Sequence, residues 1–437
     1  MDFVYKNVLI FGYGRSGKEV EKVLKDIKIN YKIYDDKIKI NGGCFIYKLS
    51  YKKLRQFDLI VLSPGVSISN KYIKKAELLN IKIISELEFG FWFTSADIIA
   101  VTGTNGKTST TLAITNLLKN EGYKCDAYGN IGKPLTSAYK KNYDFIICEV
   151  SSFQLEASDR FLPKTTVILN IAPDHIDRHG TFRSYINCKK EILKNCKKDS
   201  IIFANGDNEH CRDMLKDVVA DITLFSKKDE KSGIYLKENK VYVNGENGKE
   251  LFLDLKNNKV QYSDNLLALV GVAKWLNISG NKVLDVVKNS KAPHRYEVFL
   301  KHKNVTYIND SKGTNIHACQ KAIDTTSGNI ILMLGGYNKR LRFNTFFKEL
   351  TPKVKHVILF GECKRKLYAQ AKKQGVNCYV SKTFEDACDN AIENVSSGDS
   401  VLFSPACASF DEFNNYAERG DYFKSLILSK VNKNEKV

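Results

Sequence analysis

The sequence predicts an α/β protein in which helices cover parallel β-sheets. Short apolar runs that end in glycine or a polar turn alternate with longer helical patterns along the chain, and this alternation is typical of parallel sheets. The runs are residues 8–11, 59–62, 98–101, 145–148, 166–169, 201–203, 330–334, 357–360 and 400–403. The 437 residues are too many for one ordinary core and suit two or three domains.

Residues 221–262 depart from this alternation. They contain short β-like runs separated by turn signals such as Asn244-Gly245 and Asn247-Gly248. This pattern predicts a small antiparallel insertion packed on the middle domain. We place the domain boundaries before a strand that begins at Asp97 and near residues 294–297, which predicts domains 1–93, 94–297 and 298–437.

Charge and cysteine content narrow the class of protein. The 68 basic and 49 acidic residues give a formal charge of +19, which favours anionic partners such as nucleotides, phosphates, nucleic acid or an anionic membrane. The lysines are scattered, so a solvated basic surface is favoured over a nucleic-acid site.

The eleven cysteines lack Cys-x-x-Cys spacing and predict reduced thiols. We expect no secretory signal, because the apolar run at residues 8–11 meets Gly12 after four residues, and no apolar stretch reaches the roughly 20 residues of a membrane span. We therefore expect a soluble, cytoplasmic protein.

The strongest local motif follows the apolar run 98–101. Residues 102–109 read Thr-Gly-Thr-Asn-Gly-Lys-Thr-Ser, and a helical pattern continues to about Asn120. A strand, a glycine loop and a helix N-terminus present backbone N–H groups and the helix dipole to phosphates. Lys107 would reach the β- and γ-phosphates and Thr108 would bind Mg²⁺. Two residues separate the glycines where four are usual, so a chance glycine turn is an alternative. It is the weaker one, because Gly-Lys-Thr stands in the correct place between the strand and the helix.

A second glycine motif, Gly-x-Gly-x-x-Gly at residues 12–17, follows the first strand, and Asp35 follows the second. This spacing matches a dinucleotide-binding turn and, taken alone, would suggest an NAD-dependent oxidoreductase. The same turn binds any diphosphate, however, or serves only to pack a strand on a helix. Gly65 lies at the end of another strand, where parallel sheets open their ligand crevice.

Polar residues follow several other strands. Glu149 ends the run 145–148 and could join Thr108 on Mg²⁺ if its strand lies beside the phosphate loop. His175 and His179 have the spacing of a zinc motif, but Ile176 stands where a metalloprotease needs glutamate, which disfavours zinc hydrolysis. The loops 309–315 and 335–339 carry lysines suited to carboxylates or phosphates, although each loop alone fits ordinary turn chemistry.

These motifs together identify a resemblance to the Mur ligases. The motifs shared across that family are Thr102-Gly103-Thr104-Asn105-Gly106-Lys107-Thr108, Asp174-His175, His294-Arg295-Tyr296-Glu297 and Asn309-Asp310-Ser311-Lys312. Residues 149–156 and 404–411, with Arg419-Gly420, resemble the D-glutamate-adding members in particular. The resemblance extends from about Val8 to Phe423.

The resemblance implies a fold and a reaction. The expected fold has a Rossmann-like N-terminal domain for the UDP end of the substrate, a central P-loop-type ATPase domain, and a Rossmann-like C-terminal domain for the amino acid. The expected activity is ATP-dependent addition of D-glutamate to UDP-N-acetylmuramoyl-L-alanine through an acyl phosphate, with two Mg²⁺ ions, in peptidoglycan precursor synthesis by a monomer. Another Mur ligase, or an amide ligase like folylpolyglutamate synthase, is the alternative.

The resemblance also implies roles for individual residues. Lys107 would contact the phosphates, Thr108 and Glu149 a first Mg²⁺, and His175 and Lys189 a second, with Lys189 carrying CO₂ as a carbamate. The remaining nucleotide contacts would be Gly103, Thr104, Asn105, Gly106, Ser109, Asn265, Arg295 and Asp310. The contacts with the UDP-sugar substrate would be Tyr13, Gly14, Arg15, Ser16, Asp35, Gly65, Asn130, Ser151 and Gln154. The residues around D-glutamate would be Lys312, Thr314, Lys339, Ser409, Phe410 and Tyr416. The sequence around Asn265 departs from the family pattern at the adenine, and Gly313 stands where alanine is usual.

Overall fold

The computed structural model describes residues 3–38, 42–245, 248–256, 263–289 and 293–433. Within these ranges the chain forms three β-sheets. It divides into two compact units. The first comprises Met1–Ile171 and Arg183–Ser290, and the second comprises Ala172–Phe182 and Lys291–Val437. The predicted α/β class is confirmed.

The N-terminal sheet has four parallel strands in the order β2-β1-β3-β4 among the described residues. Its elements are β1 (Asn7–Phe11), α1 (Arg15–Asp26), β2 (Asn30–Tyr34), α2 (Tyr51–Leu54), β3 (Leu59–Leu62), α3 (Lys71–Leu78), β4 (Lys82–Ser85) and α4 (Glu86–Trp92). Strand β3 is Leu-Ile-Val-Leu and is buried throughout, as a parallel strand covered on both faces should be.

The central sheet has nine strands in the order β13-β12-β11-β10-β9-β8-β5-β7-β6 within the described ranges. Its elements begin with β5 (Asp97–Thr102), α5 (Lys107–Asn120), β6 (Cys125–Gly129), a 3₁₀ turn (Leu135–Ala138), β7 (Phe145–Glu149), α6 (Ser152–Leu155) and β8 (Thr165–Ile168). After α7 (Ile176–His179), which belongs to the second unit, come α8 (Phe182–Lys190), a 3₁₀ turn (Glu191–Leu193), β9 (Ile201–Asn205) and α9 (Glu209–Met214). The last elements are β10 (Asp221–Ser226), β11 (Ile234–Lys237), β12 (Lys240–Gly245), β13 (Gly248–Asp254), α10 (Ser263–Trp275) and α11 (Gly280–Asn289).

The antiparallel insertion predicted at residues 221–262 is confirmed for β11 to β13, but the prediction is wrong for β10, and these strands belong to the central sheet. Strand β10 pairs in parallel with both β9 and β11, and only β11, β12 and β13 pair antiparallel, so these strands extend the central sheet. The physical reason is that α9 connects β9 to β10, which makes a parallel crossover possible. The hairpin between β11 and β12 turns at Glu238 and Asn239, both with positive φ. Asn247 lies outside the described residues.

The core of the central sheet is formed by strand side chains packed against α5, α10 and α11. Helix α10 is apolar on nearly every side, and its residues from Leu266 to Ala273 are buried, because it lies between the sheet and other helices. Strand β5 is flanked by β7 and β8. The loops after these three parallel strands therefore leave the sheet at the same edge.

The sheet of the second unit has six strands, in the order β14-β15-β19-β16-β17-β18 among the described residues. Its elements are β14 (Glu297–His302), β15 (Val305–Asn309), α12 (Ile316–Thr325), β16 (Ile330–Gly335), α13 (Asn344–Lys348), β17 (Val354–Phe360), α14 (Lys364–Lys373), β18 (Cys378–Val380), α15 (Phe384–Glu393), β19 (Ser400–Ala406) and α16 (Tyr416–Lys433). All pairings except β14 with β15 are parallel. In the described part of the chain, no helix combines the length and apolar character needed to cross a membrane.

Candidate active site

The predicted phosphate loop connects β5 to α5. Gly103 and Gly106 have φ values of +147° and +91°, a region that favours glycine. A Cβ atom added to Gly106 would lie 2.5 Å from Oδ1 of Asn265. The structure therefore brings Asn265, predicted to contact the nucleotide, against the loop, and only glycine fits at position 106.

Asn170, which the sequence did not single out, holds this loop. Its carbonyl accepts from Thr104 N at 2.8 Å, its side-chain oxygen accepts from Asn105 N at 2.8 Å, and its amide donates to Asn105 O at 3.0 Å. Asn170 follows β8, the strand beside β5, so its position at the carboxyl edge of the sheet was the available signal. The loop is thus held in one conformation before any ligand contacts it.

Two lysine ammonium groups converge on one loop carbonyl. Lys107 Nζ lies 2.9 Å from both Gly103 O and Thr104 O, and Lys189 Nζ lies 2.9 Å from Gly103 O. Lys189 is only 1% exposed, and its ammonium lies 5.1 Å from the centroid of the Tyr185 ring. The Tyr185 hydroxyl is 3.0 Å from Thr104 Oγ1. With Lys189 unmodified, this arrangement concentrates positive charge at the loop, as a polyphosphate requires.

Glu149 ends β7 directly beside the phosphate-loop strand, because β7 pairs with β5 in the register Val101 to Glu149. One carboxylate oxygen of Glu149 accepts from Asn130 Nδ2 at 2.9 Å. The other oxygen, Oε2, is buried and has no hydrogen-bond partner among the described residues. A buried, unsatisfied carboxylate oxygen beside a phosphate loop fits Mg²⁺, which prefers oxygen ligands.

The turn after β6 brings Asn130 to this carboxylate. Asn130 N donates to Glu149 O at 2.8 Å. A Cβ atom at Gly129 would lie 2.2 Å from the same oxygen, so the close approach of the two chains requires glycine there. Asn130 is therefore fixed beside Glu149 by both its backbone and its side chain.

Ser151 and Gln154 form a local cap at the start of α6. The Gln154 side-chain oxygen accepts from Ser151 N at 3.0 Å and from Ser151 Oγ at 2.9 Å. Gln154 is buried, and this contact sets the orientation of Ser151 after β7. Contact of either residue with the sugar substrate stays a prediction.

Asp35 anchors the N-terminal glycine turn. Its side chain accepts from Tyr13 N at 2.7 Å. Burial alone would raise the pKa of Asp35, but hydrogen bonds from backbone N–H groups lower it. The other predicted residues of this group, Gly14, Arg15, Ser16 and Gly65, are exposed or half-buried near the turn or at the end of β3. The turn exists as predicted, and its ligand stays a prediction.

In the second unit, Asp174 lies at the centre of a buried polar cluster. Lys339 Nζ is 3.0 Å from Asp174 Oδ1, and Asn315 Nδ2 donates to Asp174 Oδ2 at 3.1 Å. Burial alone would raise the pKa of Asp174, but the charges of Lys339 and His175 and the hydrogen bonds lower it to about 2. His175, with φ +51°, follows directly and opens α7. Lys339, predicted to contact D-glutamate, therefore also neutralises Asp174.

Asp310, predicted to contact the nucleotide, is buried at the end of β15. It accepts from Ser404 Oγ at 2.7 Å and from Tyr296 N at 3.0 Å. Burial raises the pKa of Asp310 to about 6, although Ser404 and the charge of Arg295 oppose the shift. A Cβ atom at residue 313 would lie 2.4 Å from Asp310 Oδ2, so glycine at this position permits the observed carboxylate position.

The residues predicted around D-glutamate lie at the same edge of this sheet. Lys312 Nζ is 5.1 Å from the centroid of the Tyr416 ring, and Thr314 N donates to Lys312 O at 3.0 Å. Ser409 is buried, whereas Phe410 is 70% exposed.

Arg419 has a structural role that the sequence did not reveal. Its buried guanidinium donates to Ser311 Oγ, Ser311 O, Cys407 O and Ala408 O, which ties the loops after β15 and β19 together.

Comparison with known proteins decides the family. A family model described as the Mur ligase middle domain matches residues 101–279, and one described as the Mur ligase, glutamate ligase domain matches residues 294–407. A relative from Thermoanaerobacter sp. (strain X514) is 37% identical over 449 residues, covering 98% of this chain and 99% of the relative. The chain belongs to the Mur ligase family.

Similar Mur ligases carry a specific name. The Thermoanaerobacter relative is a UDP-N-acetylmuramoylalanine--D-glutamate ligase. So is a relative from Koribacter versatilis (strain Ellin345), 34% identical over 455 residues and covering the whole of both chains. Among solved structures, MurF ligase from Thermotoga maritima in complex with ADP matches with a TM-score of 0.61 and 18% identity, covering 98% of this chain and 96% of that one. A pseudomurein peptide ligase type C from Methanothermus fervidus matches with a TM-score of 0.62 and 17% identity, covering 98% and 100%. These structures share the fold.

The predicted site residues of this Mur ligase thus fall into three groups. The phosphate loop, Asn130, Glu149, Ser151, Lys189 and Asn265 belong to the central sheet of the first unit, and Tyr13 to Ser16, Asp35 and Gly65 belong to its N-terminal sheet. His175, Arg295, Asp310, Lys312, Thr314, Lys339, Ser409, Phe410 and Tyr416 belong to the second unit. The two predicted ligands of the second Mg²⁺, His175 and Lys189, are in different units, so a shared ion stays a prediction.

Proposed function

We propose that this Mur ligase uses ATP to join D-glutamate to UDP-N-acetylmuramoyl-L-alanine, forming an amide in cytoplasmic peptidoglycan precursor synthesis. The 37% identity to a UDP-N-acetylmuramoylalanine--D-glutamate ligase over 98% of the chain carries the substrate assignment. The phosphate loop with Glu149 beside it supports the use of a nucleotide. The monomeric state expected from the resemblance belongs to the same proposal.

The reaction must overcome the poor leaving group of a carboxylate. Transfer of the γ-phosphoryl group of ATP to the substrate carboxylate gives an acyl phosphate, and the amine of D-glutamate then displaces phosphate through a tetrahedral intermediate. All reacting groups except the amine are anionic, so catalysis depends on positioning and on cationic stabilisation. We assign this role to Lys107, and the contacts of its ammonium with the carbonyls of Gly103 and Thr104, in the loop that would hold the phosphates, support the assignment.

Mg²⁺ would neutralise phosphate charge in this site. Thr108, at the start of α5, and the unsatisfied Oε2 of Glu149 are the side-chain oxygens proposed to hold the first ion. A second ion would use His175 and Lys189. Because an ammonium cannot bind a metal, this role requires Lys189 to carry CO₂ as a carbamate, which leaves one N–H on the nitrogen that now donates to Gly103 O.

The three sheets divide the substrates in this proposal. Residues 1–93 would hold the uridine diphosphate, residues 94–297 the ATP, and residues 298–437 the incoming amino acid, with Arg295 and Asp310 reaching the nucleotide. Lys312 and Lys339 would supply cationic groups for this dicarboxylate, and Lys339 would share its charge with Asp174.

Phosphate release with a panel of amino acids tests the proposal. We expect release to require ATP, Mg²⁺, UDP-N-acetylmuramoyl-L-alanine and D-glutamate together. A preference for L-glutamate or meso-diaminopimelate, or equal release without an amino acid, would contradict the assignment. Another Mur ligase or a folylpolyglutamate synthase-like activity would then replace it.

The carbamate is tested separately. Lys189→Ala should lower activity at least 100-fold, and bicarbonate depletion should lower the activity of the natural protein but not the residual activity of the variant. Full activity in Lys189→Ala would refute the carbamate.

A further inference from the structure

Two buried thiols face each other in the second unit. The Sγ atoms of Cys363 and Cys407 lie 3.6 Å apart, although the two residues are 44 positions apart in the chain. Cys363 is 7% exposed and Cys407 is 1% exposed. All eleven cysteines lie in the described part of the chain and are free thiols.

The thiol pair crosses the start of a predicted substrate loop. Cys363 follows β17 and Cys407 follows β19, and β16 lies between these two strands in the sheet. The loop that leaves β16 begins at Gly336, whose carbonyl accepts from Cys363 N at 3.2 Å. A Cβ atom at Gly336 would lie 3.3 Å from Cys407 Cβ. The same loop carries Lys339.

Both cysteines are connected to the loop after β19, which contains Ser409. Glu362, next to Cys363, donates its N–H to Asp411 Oδ2 at 3.0 Å. On the other side, Ala408 and Tyr337 exchange two backbone hydrogen bonds of 2.9 Å. A covalent bond between the two sulfurs would therefore act on both loops predicted to surround D-glutamate.

We propose that Cys363 and Cys407 form a reversible disulfide under hydroperoxide stress, and that this modification lowers the use of the amino-acid substrate. The functional half of this inference rests on the proposed function. Transient disulfides in proteins of a reducing compartment are typically of this regulatory kind.

The chemistry requires one equivalent of hydroperoxide. The thiol of Cys363, the more exposed of the pair, takes one oxygen atom from H₂O₂ to give a sulfenic acid and water. The Cys407 sulfur then attacks that sulfur, the S–S bond forms, and a second water leaves. Two thiols are oxidised, one peroxide is reduced, and added dithiol reverses the reaction. The hydrogen bond with Cys363 and burial raise the pKa of Cys407, so slow oxidation is expected.

Disulfide formation would shorten the sulfur separation from 3.6 Å to about 2 Å. One or both cysteines must move to allow this, and any displacement of their backbone would be passed to the loops that are hydrogen-bonded to it. Displacements of about 1 Å can cost about 100-fold in rate. We expect at least a tenfold lower kcat/KM for D-glutamate, while KM for ATP changes less.

To test this, the protein is treated with H₂O₂ and its peptides are mapped by mass spectrometry without reduction. Phosphate release is measured before and after dithiothreitol is added. The peptide map of the natural protein detects the disulfide even if a variant fails to fold. Cys363→Ser removes the pair, and Cys378→Ser, which alters a half-buried cysteine of the same unit, is the matched control.

We expect a Cys363–Cys407 linked peptide and a reversible loss of activity in the natural protein and in Cys378→Ser. Cys363→Ser should be protected from this loss. No linked peptide, a linked peptide without loss of activity, or an equal loss in Cys363→Ser would overturn it. Failure of the proposed function has a different signature, because the reduced protein would then not prefer D-glutamate whatever the peptide map shows.

Discussion

Lys339 and Asp174, 165 positions apart in the chain, form an ion pair in which both side chains are buried. The pair joins residues 172–182 to the loop after β16 within the second unit. It places a lysine predicted to bind D-glutamate on a carboxylate next to His175, a predicted Mg²⁺ ligand. Two predicted functions therefore depend on one buried contact.

Removing one partner of this pair should destabilise the protein strongly. Lys339→Ala would leave the Asp174 carboxylate buried without its cation, which costs about 3–5 kcal/mol in unfolding free energy. Urea denaturation measures this loss. Lys74→Ala, which breaks an exposed pair with Glu77, should change the unfolding free energy by less than about 1 kcal/mol. Equal effects of the two substitutions would contradict the buried pair.

The pH dependence of the same pair has a defined sign. The pKa of Asp174 is lowered from 3.8 to about 2 in the folded protein, so its stabilising contribution is present above pH 4 and is lost as the pH falls toward 2. The stability difference between the natural protein and Asp174→Asn should therefore be constant from pH 5 to 8 and shrink below pH 4. A difference that grows on acidification would be inconsistent with this assignment.

Gly106→Ala should abolish nucleotide-dependent activity. The added Cβ would meet Asn265 Oδ1 at 2.5 Å, and φ of +91° strains alanine by about 1–3 kcal/mol. Gly122→Ala is a matched control, because Gly122 has φ of +85° but nothing within 4 Å of the added atom. Both variants should lose stability, measured by thermal unfolding, but only Gly106→Ala should lose ADP binding, measured by calorimetry. Retained ADP binding in Gly106→Ala would contradict the role of the loop.

Glu149→Gln should lose at least 100-fold in phosphate release while remaining folded. The new amide keeps an oxygen that can accept from Asn130, but it removes the negative charge proposed to hold Mg²⁺. Asp97→Asn, at the opposite end of β5, should retain full activity. The Mg²⁺ concentration for half-maximal activity should rise in Glu149→Gln alone, and an unchanged value would count against Glu149 as a ligand.

The unfolding free energy of the first unit should fall as the pH rises, because the Glu86 carboxyl is buried. Its side chain is buried at the start of α4, where Oε1 accepts from Thr136 N at 2.7 Å. Burial raises the pKa of Glu86 from 4.5 to about 6, so the stability present below pH 4.5 is lost as the pH rises through 6, by about 2 kcal/mol. Glu86→Gln should lack this step in unfolding free energy between pH 4.5 and 7. An identical pH profile in the variant would show that the carboxyl is not responsible.

Much of the fold could be predicted because local patterns determined it. The apolar runs correspond to strands, and the phosphate loop lies between β5 and α5. Glu149 could be predicted as a site residue because it ends a strand. That its strand, β7, lies beside β5 depended on the strand order, which no local pattern encodes. The direction of β10 was mispredicted because α9, which reverses the chain, is short and its pattern is weak.

The contacts that hold the site were harder to predict because they join distant segments. Asn170 is 65 positions from Asn105, and Arg419 is 108 positions from Ser311. Asn170 belongs to no motif that the sequence singled out, and Arg419 was noted only for its resemblance to the D-glutamate-adding members, because the role of each residue comes from what the folded chain brings near it. The sequence therefore predicted the residues proposed to contact the substrates better than the residues whose hydrogen bonds hold the loops of the site.

The mass of the product shows most directly whether this protein adds D-glutamate to UDP-N-acetylmuramoyl-L-alanine. The protein is incubated with ATP, Mg²⁺, UDP-N-acetylmuramoyl-L-alanine and an equal mixture of isotopically distinguished D- and L-glutamate, and the product is analysed by mass spectrometry. We expect one product that carries a single D-glutamate, formed with one ADP per amide bond. A product that carries L-glutamate, or ADP formation without a ligated product, would contradict it.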